Sequence, residues 1–134
     1  MPEQPRLISV IIVSLNSSDW IRGCLASLQS QDIYDRIEVI VVDNGSTDGS
    51  VEMLRSEFPD CRLITVGENI GFGPANNVGA RNAAAPVLLF LNADTVVSPG
   101  SLSRMLTLLD SRPDWGAAGG LVLGVSCETP PPAD

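Results

Sequence analysis

Four short apolar runs recur along the chain, at residues 7–13, 37–42, 61–66 and 87–91. Each is too short for a stable helix, and their Val and Ile content suits strands. Between them lie stretches with apolar residues at helical spacing. Ile21, Cys24, Leu25 and Leu28 predict an amphipathic helix to about Gln31, with Ser17, Ser18 and Asp19 as available caps. Val51, Leu54 and Phe58 predict a second helix, closed by Pro59. Residues 74–84 predict a helix of small side chains that packs closely, with Gly79 working against it. Leu102, Met105, Leu106 and Leu109 mark a further helix, with Ser98 as its N-cap and Pro99 at its first position. Residues 116–123 read as a last, glycine-weakened strand, and 126–134 as a disordered tail with three consecutive prolines.

Strands alternating with helices predict an α/β fold with a mostly parallel sheet and helices on both faces. The run 7–13 predicts a central strand, 61–66 a strand nearer the edge, and 87–91 a strand buried on both faces. Right-handed crossovers gather the carboxyl ends of these strands on one edge. Ser14 and Asn16, Asp43, and Asn92 with Asp94 would then share that edge. In open α/β sheets ligands bind there.

Composition narrows the choice. A chain of 134 residues suits one domain around one core, here mostly aliphatic because aromatics are only 4%. A net charge of −8 disfavours a nucleic-acid binder, which needs a basic face. There is no His, which excludes imidazole bases, Ser-His-Asp triads and His-ligated zinc. Three Cys at no metal-like spacing point to a reducing compartment rather than a disulfide framework. Residues 1–5 lack the apolar core of a signal peptide, and no apolar run reaches the ~20 residues that span a bilayer. The expectation is a cytoplasmic protein, one that can work at the inner membrane face.

Asp94, just past an apolar strand, is well placed to hold a hard divalent ion, with Asn92 adding a weaker contact or a water. The same residues also suit a turn in which Asp94 bonds nearby N–H groups. Asp43 could accept a hydrogen bond from a nucleotide base or ribose, or could serve the turn that Asn44-Gly45 announces. Asp48 reads as a helix cap. Asn16 fits a nucleotide contact or a turn. Arg81 is the cation expected near the site, where its planar fork would suit a diphosphate; a solvated surface position is the other reading. The Gly71-Phe72-Gly73 loop lacks dinucleotide G-x-G-x-x-G spacing, and no G-K-[ST] phosphate loop occurs. A phosphoacceptor signalling domain would want a Lys late in the chain, and all eight cationic residues are Arg.

Taken in order, residues 8–16, 41–50 (Val-Val-Asp-Asn-Gly-Ser-Thr-Asp-Gly-Ser), 69–77 and 89–94 (Leu-Phe-Leu-Asn-Ala-Asp) resemble the family-2 inverting glycosyltransferases of the GT-A fold. The rhamnosyltransferase-like members, with Asn-x-Asp in place of Asp-x-Asp, are the most similar, and the resemblance covers roughly residues 7–120. It implies a nucleotide-diphosphate-sugar donor, a divalent metal (Mg²⁺ or Mn²⁺) and a glycan or lipid-linked acceptor, in cell-surface polysaccharide or glycan synthesis. It implies a nucleotide-base contact from Asp43, a diphosphate contact from Arg81 and a metal contact from Asp94, and Ser14, Asn16 and Asn92, at the same strand ends, are expected to contact the donor nucleotide with them. The family's catalytic base and acceptor site come from a second half, and Asp110, Asp114, Glu128 and Asp134 stand in no such motif. Residues 1–125 are therefore expected to form a donor-binding domain without its acceptor half. The alternative is a non-catalytic nucleotide-sugar-binding or assembly module. An exposed sheet edge left in either case would favour homo-oligomers.

Overall fold

In the computed structural model, which describes residues 4–123, strand β1 (Ile8–Ser14) is the centre of a four-stranded parallel sheet. Its neighbours are β2 (Ile37–Asp43) and β4 (Val87–Asn92), with β3 (Arg62–Thr65) beyond β2 at the far edge. The expected α/β architecture, the central first strand and the peripheral third strand all hold. Ile8, Val10, Ile11 and Ile12 are buried because helices cover both faces of β1. Each such side chain contributes on the order of 1.5–3 kcal/mol when removed from water.

The two faces are covered unequally. Helices α1 (Ile21–Gln29), α2 (Ser50–Glu57) and α4 (Ser101–Asp110) pack through Cys24, Leu25, Leu28, Leu54 and Leu102 against one face. Among the described residues helix α3 (Phe72–Arg81) is the one helix over the other face, above Ile40 and Val42. Its small residues allow a close approach: a Cβ on Gly79 would lie 2.5 Å from Cγ2 of Ile11. Gly79, which counts against the helix by propensity, is what lets the helix seat.

Three expectations are corrected. The run 87–91 is not buried on both faces. Val87, Leu89 and Leu91 join the core, but Leu88 and Phe90 remain 40% and 53% exposed. Strand β4 bonds only to β1, and α3 lies over β1 and β2, so nothing among the described residues covers its outer face. Residues 116–123 form no strand; Leu121, Val122 and Leu123 are exposed coil. The caps also differ, since α4 is preceded by Gly100 in the left-handed region and α1 by Trp20, neither with a side-chain cap. The expected tail at 126–134 lies outside the described residues. Among the described residues no helix is long and apolar enough to cross a membrane.

Candidate functional site

Register sets the site. Ser14 of β1 lies beside Asp43 of β2, and Val13 beside Asn92 of β4. The three strands therefore end level, and Asp43 sits two strands, about 10 Å, from the end of β4. The loops that follow each strand meet over this edge.

Asp43 is 3% exposed. Its Oδ2 accepts the backbone N–H groups of Gly45 at 3.2 Å and Ser46 at 3.1 Å, forming the turn after β2. Its Oδ1 is buried and has no hydrogen-bond partner. A buried, unsatisfied carboxylate oxygen is costly, so its presence at a strand end calls for a ligand or water that completes it. The turn reading of Asp43 is thus met by Oδ2, and Oδ1 is left without a protein partner.

Asn44 holds the next loop in place. Its Oδ1 accepts the Ile70 N–H at 2.9 Å, its Nδ2 donates to Asn69 Oδ1 at 3.0 Å, and its N–H donates to the Ser14 carbonyl at 2.8 Å. Gly45 (φ 96°) passes so close to this loop that a Cβ there would lie 3.0 Å from the Glu68 carbonyl carbon. Asn44 and Asn69 thus build the frame around Asp43. Sequence reading registers them only as turn residues, because their partners stand some 25 positions apart.

Asn16 (φ 48°) is part of that frame. Its N–H donates to Ser46 Oγ at 2.9 Å and its Oδ1 accepts the Thr47 N–H at 2.8 Å. Its side chain ties the first loop to the second, the turn role. Ser14 is placed otherwise than expected for a nucleotide contact: it is buried, and its hydroxyl bonds that of Ser17 at 2.6 Å. Asp48 acts as the expected cap. Its carboxylate accepts the Ser50 hydroxyl at 2.6 Å and the Ser50 and Ser18 N–H groups at 3.0 Å. The Ser50 hydroxyl foremost, then these N–H groups, hold its pKa well below the usual carboxylate range.

Asn92 and Asp94 are exposed at the end of β4, with the Asn92 carbonyl accepting the Thr95 N–H at 3.1 Å in a turn. Cys24 of α1 lies beneath. Its thiol donates toward the Asn92 carbonyl at 3.7 Å, and burial foremost, with the nearby Asp94 charge, pushes its pKa up to about 12. It is a packing group, not a nucleophile. Among the described residues no three His, Cys, Asp or Glu side chains gather as a metal cluster. Asp94 offers one carboxylate, the number that Mg²⁺ or Mn²⁺ often takes from protein when phosphates complete the shell.

Arg81 is a correction. It ends α3, a helix that begins at the loop edge and runs back about 15 Å along the sheet. The next residue, Asn82, accepts at 3.0 Å from Arg62, which is level with Ile40 in the middle of β2, so Arg81 is set back from the strand ends. A hollow between α2 and β3, walled by Leu54, Phe58, Cys61 and Leu63, is also remote from the strand ends.

Asp43 and Asp94 lie at the carboxyl ends of a parallel α/β sheet, the place where such sheets bind ligands. The sequence model of "Glycosyl transferase family 2" matches residues 9–129, and the chain belongs to that family. Over 98 residues it is 39% identical to the uncharacterized glycosyltransferase YfnE of Bacillus subtilis, covering 72% of this chain and 25% of the relative. Its fold is similar to S. aureus TarS 1–349 in complex with UDP-GlcNAc (TM-score 0.73, 27% identity, 79% of this chain and 32% of that one). It is also similar to the mannosyltransferase PcManGT from Pyrobaculum calidifontis in complex with GDP-Man and Mn²⁺ (TM-score 0.67, 29% identity, 79% and 33%). The chain thus has the GT-A fold and spans a quarter to a third of the length of these proteins.

Proposed function

We propose that residues 1–125 form the donor-binding domain of a glycosyltransferase that moves a sugar from a nucleotide-diphosphate sugar to an acceptor hydroxyl with inversion. The observation that carries this reading is the unpartnered, buried Oδ1 of Asp43 at the strand-end edge. An N–H of the nucleotide base or a ribose hydroxyl donates to that oxygen. Oδ2 stays with Gly45 and Ser46, so the carboxylate is oriented before the ligand arrives. The diphosphate then extends toward the end of β4, two strands away. There Asp94, with Asn92 beside it, holds a divalent cation, Mg²⁺ or Mn²⁺. That ion, when bound, offsets the charge developing on the leaving diphosphate. The donors named for TarS and PcManGT, and the Mn²⁺ named for PcManGT, support this reading.

The reaction is a single displacement. The acceptor oxygen bonds the anomeric carbon as the bond to the diphosphate oxygen breaks, and the acceptor proton passes to a general base. Asp110 ends α4 and Asp114 lies in an exposed turn. We assign neither as that base. The acceptor is a glycan or a lipid-linked sugar, and the compartment proposed is the cytoplasm, at the inner membrane face where the acceptor is lipid-linked.

Calorimetric titration of UDP and dTDP, with and without Mn²⁺, tests the proposal on the native chain and on Asp94→Ala. Metal-dependent binding by the native chain that vanishes in the variant is expected. Absence of binding in both conditions would sink the donor-site reading and leave an assembly module.

A further inference from the structure

The segment that follows β4 is laced to one face of α1. At the first tie the Cys24 thiol lies under the Asn92 carbonyl at 3.7 Å. Three residues along the helix, Ser27 Oγ accepts the Val97 N–H at 3.0 Å. Past the helix end, Gln31 Nε2 donates to the carbonyls of Ser98 at 3.1 Å, Val97 at 3.3 Å and Ser27 at 3.2 Å. Its Oε1 faces the Leu102 N–H at 3.4 Å. Cys24 and Ser27 share one face of α1 and Gln31 follows in the turn that ends it, so the helix and its terminus grip the segment at successive points. Asp94 lies between the first tie and the other two.

Gln31 is unusual as a core residue. It is 4% exposed, and both ends of its amide face backbone groups. A buried amide is tolerated only when its hydrogen bonds are made, and here they are made to the Asp94 segment and to the start of α4. An aliphatic residue would fill the volume without restraining the segment. The restraint bears on geometry because the segment from 93 to 100 has no helix or strand of its own. A hard cation that demands near-octahedral coordination is sensitive to where its one protein carboxylate stands.

We infer that Gln31, with Ser27, is a positioning residue for the metal contact: its amide fixes the backbone beyond Asp94 and so sets the carboxylate at the end of β4. The inference rests on the reading of Asp94 as the metal ligand.

Its test separates metal-dependent from metal-independent binding. Gln31→Met keeps volume and burial but removes the donors and acceptor. UDP is titrated into the native chain and the variant with and without Mn²⁺, beside thermal melts. The expected result is a cooperative melt, unchanged UDP affinity without metal, and a loss of about 10–100-fold in the Mn²⁺-dependent part, the usual cost of removing a group that orients a ligand. Should Gln31→Met fail to fold, Ser27→Ala removes the tie at Val97 and is expected to show the same split. Native-like Mn²⁺ dependence in a folded variant overturns the inference and leaves Asp94 untouched. A native chain that gains nothing from Mn²⁺ removes the reading of Asp94, and this inference with it.

Discussion

Asp43 divides its carboxylate between two tasks: one oxygen builds a turn, and the other is left buried for a ligand. Asp43→Asn should separate them. The amide oxygen can still accept from Gly45 and Ser46, so stability should fall by only about 1 kcal/mol. The NH₂ group then stands where Oδ1 stood and meets a donor with a donor. UDP affinity should drop by about 10–100-fold, the cost of one unmade buried hydrogen bond. Melts and calorimetry on the same sample check both halves; a variant that binds UDP as the native chain does would remove Asp43 from the site. Asp48 has a different signature. Its folded pKa is lowered by the Ser50 hydroxyl and backbone N–H groups. Its contribution to stability is therefore fully present above the ordinary carboxylate pKa of about 3.9 and is lost as pH falls below that value. Asp48→Asn should melt several degrees lower than the native chain at pH 7, with the gap closing in acid. A gap that is constant down to pH 2 would rule the mechanism out. Asp43 was legible as a strand-end acid because a carboxylate after an apolar strand has few places to go, and Asp48 as a cap from the turn residues around it. The place of Arg81 was not legible because ten residues of helix carry it about 15 Å back from the loop edge where α3 begins. Asn44 and Gln31 were not legible as organisers, since their partners stand 25 to 71 positions away.

Among the elements, α3 shows packing overriding propensity. Gly79 costs roughly 1 kcal/mol in a helix relative to Ala. Yet a Cβ there would strike the β-branched methyl of Ile11 at 2.5 Å and stand 3.3 Å from Val42 Cγ2. Neither neighbour is the loose end of a long side chain, and overpacking of this kind costs about 1–3 kcal/mol. Gly79→Ala should therefore destabilise on balance, by about 1 kcal/mol in urea titrations. Ile11→Ala in the same chain should lower the penalty of the added methyl, a coupling readable in a double-mutant cycle. A stabilised single variant would mean that helix propensity wins. All four strands of the sheet were legible from apolar runs, and the four α-helices from spacing and composition, though not their caps. Hydrophobicity alone could not tell a strand buried on both faces from an edge strand with one apolar face bare, and β4 is the second kind. Residues 116–123 carry strand-like Leu121, Val122 and Leu123, but Gly116, Gly119 and Gly120 precede them and no described strand pairs with them.

At the scale of the molecule, the bare side of β4 and the charge of the chain oppose each other. Among the described residues strand β4 has an unpaired edge and presents Leu88 and Phe90 outward, with Val96 exposed just beyond. An open edge beside an apolar face is a template for another strand, and no described element blunts it. Against this stands a net charge of −8, which makes two copies repel. Repulsion between exposed charges reaches about 30 Å at 0.01 M ionic strength but only about 8 Å at 0.15 M, whereas burial of Leu88 and Phe90 gains nothing from dilution of salt. The native chain should therefore sediment as a monomer in dilute buffer and gain mass with both salt and protein concentration. Leu88→Lys with Phe90→Lys should abolish that gain. The fold should survive the pair of substitutions, because both side chains are already 40–53% exposed and long cationic chains keep their stems on the surface. A native chain that stays monomeric at high salt would refute self-association through this edge. Association that persists in the double variant would move the contact elsewhere, with exposed Trp115 and Leu121 the next candidates to substitute.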